Sequence, residues 1–194
     1  MTANEIDLSP DSLRKVAKKV KIEQDLKKLK VKTEKLKVRS EIEEIDISDE
    51  ITKLDQEIAD LTKAKEEFQS YKHPFLELFK KQDVLQKRIK KLEAKKGQIQ
   101  TSVYDSLRNE YQEEQKSIMQ QINQTTAQLR EIKQGATKGA QSLKYSLEEL
   151  SVRKEIEEIP EDTYQKQLAE LKSELTQSEE LETAIDFLLD MVKN

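Results

Sequence analysis

FLELFKKQDVLQKRIKKLEAKKGQIQTSV, residues 75–103, is the stretch on which the fold turns. Phe75, Leu78, Leu85, Ile89, Leu92, Ile99 and Val103 fall on heptad a and d positions, with Gln82 and Lys96 as polar substitutes. Such a repeat marks helices that bury a narrow seam against one another. The seam resumes after a shift of four at Leu107 and Tyr111 and continues through Ile118, Ile122, Thr125, Leu129 and Ile132. A four-residue insertion unwinds a supercoil locally without ending it. Read as one helix, 75–133 would be roughly 90 Å long at about 1.5 Å per residue. Gly97 offers the alternative of an antiparallel hairpin. The continuous helix is favoured, because one glycine costs only about 1 kcal/mol and 95–98 holds no strong turn dipeptide.

Composition agrees with thin seams. Of 194 residues, 35% are hydrophobic, 5% aromatic and 38% charged, too little apolar material for a thick globular core. Three glycines and three prolines argue against disorder, which enriches both. The expected fold class is all-α: an elongated coiled coil with a long central helix, or helical hairpin, flanked by helix–break–helix arms. With no cysteine, disulfides and thiolate metal sites are excluded. The acidic first ten residues carry no apolar run, and nowhere do 18 apolar residues stand together, so no signal peptide or membrane span is expected. The expected compartment is cytoplasmic.

The flanks divide at a few breaks. Residues 1–9 are expected to be a flexible terminus. Ser9-Pro10 reads as a helix start, with serine as cap and proline in the first turn. A helical stripe follows through Leu13, Val16, Val20, Ile22, Leu26, Leu29 and Leu36 to Val38, Ile42 and Ile45; Ser48-Asp49-Glu50 reads as a second start. His73-Pro74 closes this 10–72 arm, and His73 is expected to be an exposed linker residue. The central coiled coil is assigned to 75–134. Gly135 and Gly139 predict a reversal of the chain at 135–140. An acidic arm, 141–194, then carries a helix to Ile159, a break at Pro160, and a terminal amphipathic helix capped by Ser178.

Charge comes in blocks. Residues 13–40 hold twelve Lys or Arg against three acids, and 41–70 hold three against eleven. Residues 71–100 are basic again and 143–194 acidic. Blocks of opposite sign suit pairing of the chain with itself. The most specific feature is an internal repeat. Residues 29–45 laid on 143–159 give eleven identities in seventeen positions, including Val38-Arg39 with Val152-Arg153 and Glu41-Ile42 with Glu155-Ile156. The two arms therefore read as related helix–break–helix units.

Within the second copy, the pattern Arg-x-x-Ile-x-x-Ile-Pro-Glu-Asp-x-Tyr of 153–164, followed by Leu168, Leu171 and Leu175, resembles a segment of archaeal coiled-coil proteins of the Cdv cell-division A type. Members often carry glycine where this sequence has Glu157, and the division protein carries an amino-terminal β-barrel for which no strands are visible here. The resemblance implies polymer-forming or scaffold behaviour, in cell division or in cytoskeletal or chromosome organisation.

No catalytic, cofactor or metal site is expected. His73 lacks the further donors a metal needs, 135–139 lacks the eight-residue phosphate-loop pattern and a preceding strand, and the acid pairs sit on solvated helix faces. The expected function is a non-enzymatic scaffold that self-associates as an oligomer or filament through Leu78, Leu85, Ile89, Leu92, Ile99 and Val103. The alternative is a nucleic-acid or chromatin-associated protein using Lys15, Lys18, Lys19, Lys27, Lys28, Lys30 and Lys32 to track phosphates. That block has no aromatic residue for base stacking, and a basic face docked on the acidic arms or merely solvated is the preferred reading. A third role is partner recruitment by the terminal helix through Leu181, Ile185, Leu188, Leu189 and Val192. Membrane association is disfavoured, because that helix has no cationic face.

Overall fold

The computed structural model describes residues 6–43 and 45–193. They form five helices and no strand: α1 Pro10–Glu43, α2 Ser48–Glu66, α3 Pro74–Ala94, α4 Thr101–Glu155 and α5 Glu161–Lys193. The chain is all-α. It divides into two compact units, Lys15–Lys72 and Met1–Arg14 with His73–Asn194.

Helix starts follow local chemistry. Pro10 opens α1, and the Ser9 hydroxyl accepts the Ser12 N–H at 3.4 Å while the Ser9 N–H donates to Asp7 Oδ1 at 2.9 Å. Asp7 and Ser9 are thus hydrogen-bonded parts of the terminus read as flexible over 1–9; residues 1–5 lie outside the described residues. At α2 the cap is Ile47, not Ser48, and Asp46 accepts the Ser48 N–H at 3.1 Å. His73 is no exposed linker: it is 2% exposed. Its extended backbone, required before proline, makes it the cap of α3, where Nδ1 accepts the Phe75 N–H at 3.3 Å. The ring proton therefore sits on Nε2, which donates to the Asp7 carbonyl at 2.8 Å.

In the unit Lys15–Lys72, the chain reverses between α1 and α2. Lys19 near the start of this stretch donates to the carbonyls of Phe68 and Tyr71 at 3.1 and 2.5 Å. Farther along α1, Lys32 and Lys37 pair with Glu50 and Asp55 at 3.5 and 3.7 Å. Ile22, Leu26 and Thr33 are buried on α1 and Leu54 on α2. Lys19 also supplies the positive charge that the exposed carbonyls beyond a helix C-terminus favour.

The larger unit differs from the sequence-based expectation in two places. Residues 75–133 are not one helix: α3 ends at Ala94, a turn around Gly97 follows, and α4 returns alongside α3, with Gln82 Nε2 3.7 Å from Met119 Sδ. Folding back buries Phe75, Leu78, Leu85 and Leu92 together with Tyr104, Ile118, Ile122 and Leu129. Each such side chain is worth about 1.5–3 kcal/mol when covered, far more than a few helical hydrogen bonds at about 1 kcal/mol each. The Lys96 ammonium lies 5.5 Å from the centre of the Tyr104 ring at the turn.

Second, no reversal occurs at 135–140, so no boundary separates a 75–134 rod from the acidic arm. α4 runs unbroken through Gly135 and Gly139, neither of which has a positive φ. The helical cost of two glycines is overcome by packing of α4 on α5. The Ser178 hydroxyl donates to the Ala136 carbonyl at 3.0 Å, and Lys133–Asp186 and Lys144–Glu179 pair across the two helices at 2.5 and 2.9 Å. Ser178 is accordingly inside a continuous α5 and caps no separate terminal helix. The true reversal lies at 156–160, where Glu157 adopts φ 60° and the Glu158 N–H returns to the Arg153 carbonyl at 2.9 Å, a left-handed helix cap.

Candidate association surfaces

The residues read as an intermolecular seam are spent largely within the chain. Leu78, Leu85 and Leu92 are buried and Ile89 and Ile99 half-buried, leaving Val103 exposed. The terminal apolar face behaves likewise: Leu181, Ile185 and Leu188 are buried and Leu189 and Val192 half-buried in a helix that packs on α4.

The basic block is split in use. Lys32 is tied to Glu50, and Lys19 to α2-side carbonyls, while Lys18 sits 5.6 Å from the Phe68 ring centre. Lys15, Lys27, Lys28 and Lys30 are exposed. Among the described residues, no group of three or more His, Cys, Asp or Glu is arranged to hold a metal ion, and no helix is long and apolar enough to cross a membrane.

What the seam reading missed lies on the internal repeat. Val31, Val38 and Ile42 on α1 are 48%, 51% and 76% exposed. Their counterparts in the second copy, Tyr145, Val152 and Ile156, are 69%, 50% and 64% exposed. The opposite face agrees as well: Leu29, Thr33 and Leu36 turn inward to differing degrees, and so do Leu143, Leu147 and Leu150. Each copy is therefore a two-faced helix segment, one face toward the protein interior and the other, also carrying apolar residues, toward water. The copies also end alike, α1 giving way to α2 at Ser48 and α4 to α5 at Glu161, within one residue of the repeat offset.

Gln165 and Lys154 hold the Glu161 carboxyl below the usual range, Lys154 through a 2.7 Å ion pair. Hydrogen bonds from Ser48 lower the Asp46 carboxyl. The Glu149 carboxylate, 2.6 Å from Arg153, raises that guanidinium further, and Asp186 raises Lys133.

A signal for the outward stripe was available. Val31, Val38 and Ile45 stand seven apart, a second heptad line beside the one that follows Ile22, Leu26, Leu29 and Leu36.

Fold and surface together define an all-α protein that displays one apolar helix face twice. No protein-family model matches the chain, and no curated protein or solved structure matches it.

Proposed function

We propose that this chain is a non-enzymatic helical scaffold that associates with further helical chains, copies of itself among them, through coiled-coil contacts. The observation that carries this reading is the repeated outward stripe: Val31, Val38 and Ile42 are matched by Tyr145, Val152 and Ile156, all left facing water. Isolated exposed apolar residues are ordinary on protein surfaces. Here they recur at seven- and four-residue steps in two related segments, the spacing of a helix-docking face. The resemblance of 153–175 to archaeal coiled-coil proteins points the same way, toward polymer or scaffold behaviour in cell division or cytoskeletal organisation.

Sedimentation of the purified chain over a range of concentrations is the test. Mass should rise with concentration, and Ile42→Asp with Ile156→Asp should hold the protein at monomer mass. A monomer at every concentration would refute the proposal.

The exposed ammonium groups of Lys15, Lys27, Lys28 and Lys30 favour a second reading, polyanion binding. Charge reversal at Lys27, Lys28 and Lys30 would then remove a gel shift with duplex DNA, and the shift would weaken steeply with salt.

A further inference from the structure

Building on the scaffold reading, we infer that the two outward stripes pair with each other between molecules: the Val31, Val38 and Ile42 face of one copy docks on the Tyr145, Val152 and Ile156 face of another. The copies are alike in their apolar residues and unlike in what surrounds them. A shallow groove over Val31 is walled by Lys27, Lys28, Lys32 and Lys35, and of these only Lys32 enters an ion pair among the described residues. At the equivalent places, the second copy has Gln141, Ser142, Ser146 and Glu149. Glu148 and Glu149 lie three and four residues beyond Tyr145, on the stripe's own flanks, and Glu149 also pairs with Arg153 of its own chain at 2.6 Å.

Pairing the first stripe with itself would bring the lysine-walled grooves of two chains together, and pairing the second with itself would oppose Glu148 and Glu149. Like charges juxtaposed across an interface select against a partner, and opposite charges select for it. With the two helices parallel, the unlike pairing sets Lys35 and its neighbours against Glu149 and its neighbours. It also offers the exposed ring of Tyr145 to a groove built of lysine stems, a contact the chain already makes elsewhere. Lys18 lies 5.6 Å from the Phe68 ring, Lys19 6.0 Å from Tyr71 and Lys96 5.5 Å from Tyr104.

Each chain then carries one donor face and one acceptor face, so two chains can exchange both contacts about a two-fold axis, or successive chains can extend into a ring or an open filament.

The absence of cysteine makes the test direct. One preparation carries Val38→Cys and the other Val152→Cys; these are the midpoints of 31–45 and 145–159, so either helix orientation brings them together. Under mild oxidation the mixture should yield the unlike disulfide pair in preference to both like pairs. Like pairs equal to or exceeding the unlike one would overturn the inference. Lys35→Glu or Glu149→Lys alone should weaken association roughly tenfold, the order expected for one repulsive contact, and mixing the two variants should restore it. Association that survives with no response to these exchanges overturns the pairing and leaves the scaffold reading standing. Absence of any association in the unaltered protein removes both. Both charged positions are solvent-facing, and far-UV circular dichroism checks that each variant keeps its helices.

Discussion

Replacing Gly135 and Gly139 by alanine should stabilise the protein, although both look like turn residues in the sequence. Glycine in a helix interior is about 0.8–1.0 kcal/mol less favourable than alanine, because the unfolded chain loses more freedom on ordering. A Cβ at position 135 meets nothing within 4 Å, and one at 139 meets only Ser178 Oγ at 4.0 Å, an ordinary contact. Neither backbone has positive φ, so no strain opposes the change. The double variant should therefore gain about 2 kcal/mol, which for a chain of this size raises the melting temperature by roughly 4–8 °C. Urea titration followed by far-UV circular dichroism reads the gain as a shift of the midpoint at constant slope. Gly139→Leu is the contrast: its longer side chain would extend toward Ser178 Oγ, already 4.0 Å from a Cβ there, and overpacking of about 1–3 kcal/mol is expected. If Gly135→Ala destabilised the protein, the unbroken α4 would be wrong and a turn at 135–140 right.

Glu157→Gly should stabilise by about 1 kcal/mol, since Glu157 occupies φ 60°, where a Cβ costs about 1–2 kcal/mol; an unchanged thermal midpoint would argue against the left-handed cap. His73→Ala should cost about 1 kcal/mol or more by removing the α3 cap. His73→Asn should recover part of that loss, and equal losses in the two variants would deny the capping role. Asp46 and Glu161 have carboxyls lowered from ordinary values of 3.8 and 4.5. Their contribution is fully present above those values and is lost as pH falls through the lowered ones. Thermal midpoints should thus decline below about pH 4.5, less steeply in Glu161→Gln; an identical acid profile for that variant would refute the assignment.

The heptad line through Phe75, Leu78, Leu85 and Leu92 was legible as a buried face, yet the identity of the covering helix was not. A seam is satisfied equally by a neighbouring molecule and by α4 of the same chain, because burial of apolar surface is non-directional. The same ambiguity affected Leu181, Ile185 and Leu188, read as a docking face and found against the chain's own α4. The outward stripes show the converse: Val31 and Val152 look like ordinary members of an amphipathic pattern until the burial of their neighbours shows which face is already used.

By itself the sequence determined the all-α class and most of the helix starts. Pro10, His73-Pro74 and Pro160 act through steric and hydrogen-bonding rules that span only a few residues. The repeat was also readable, because identity along the chain needs no coordinates. Only the tertiary structure decided that the chain turns at Gly97 and runs straight through Gly135 and Gly139. Each glycine shifts the local balance by about 1 kcal/mol, less than the packing of α3 and α5 on α4 contributes, so the long-range contacts chose where the helix broke. The same contacts determined which apolar face was consumed inside each unit and which was left facing water.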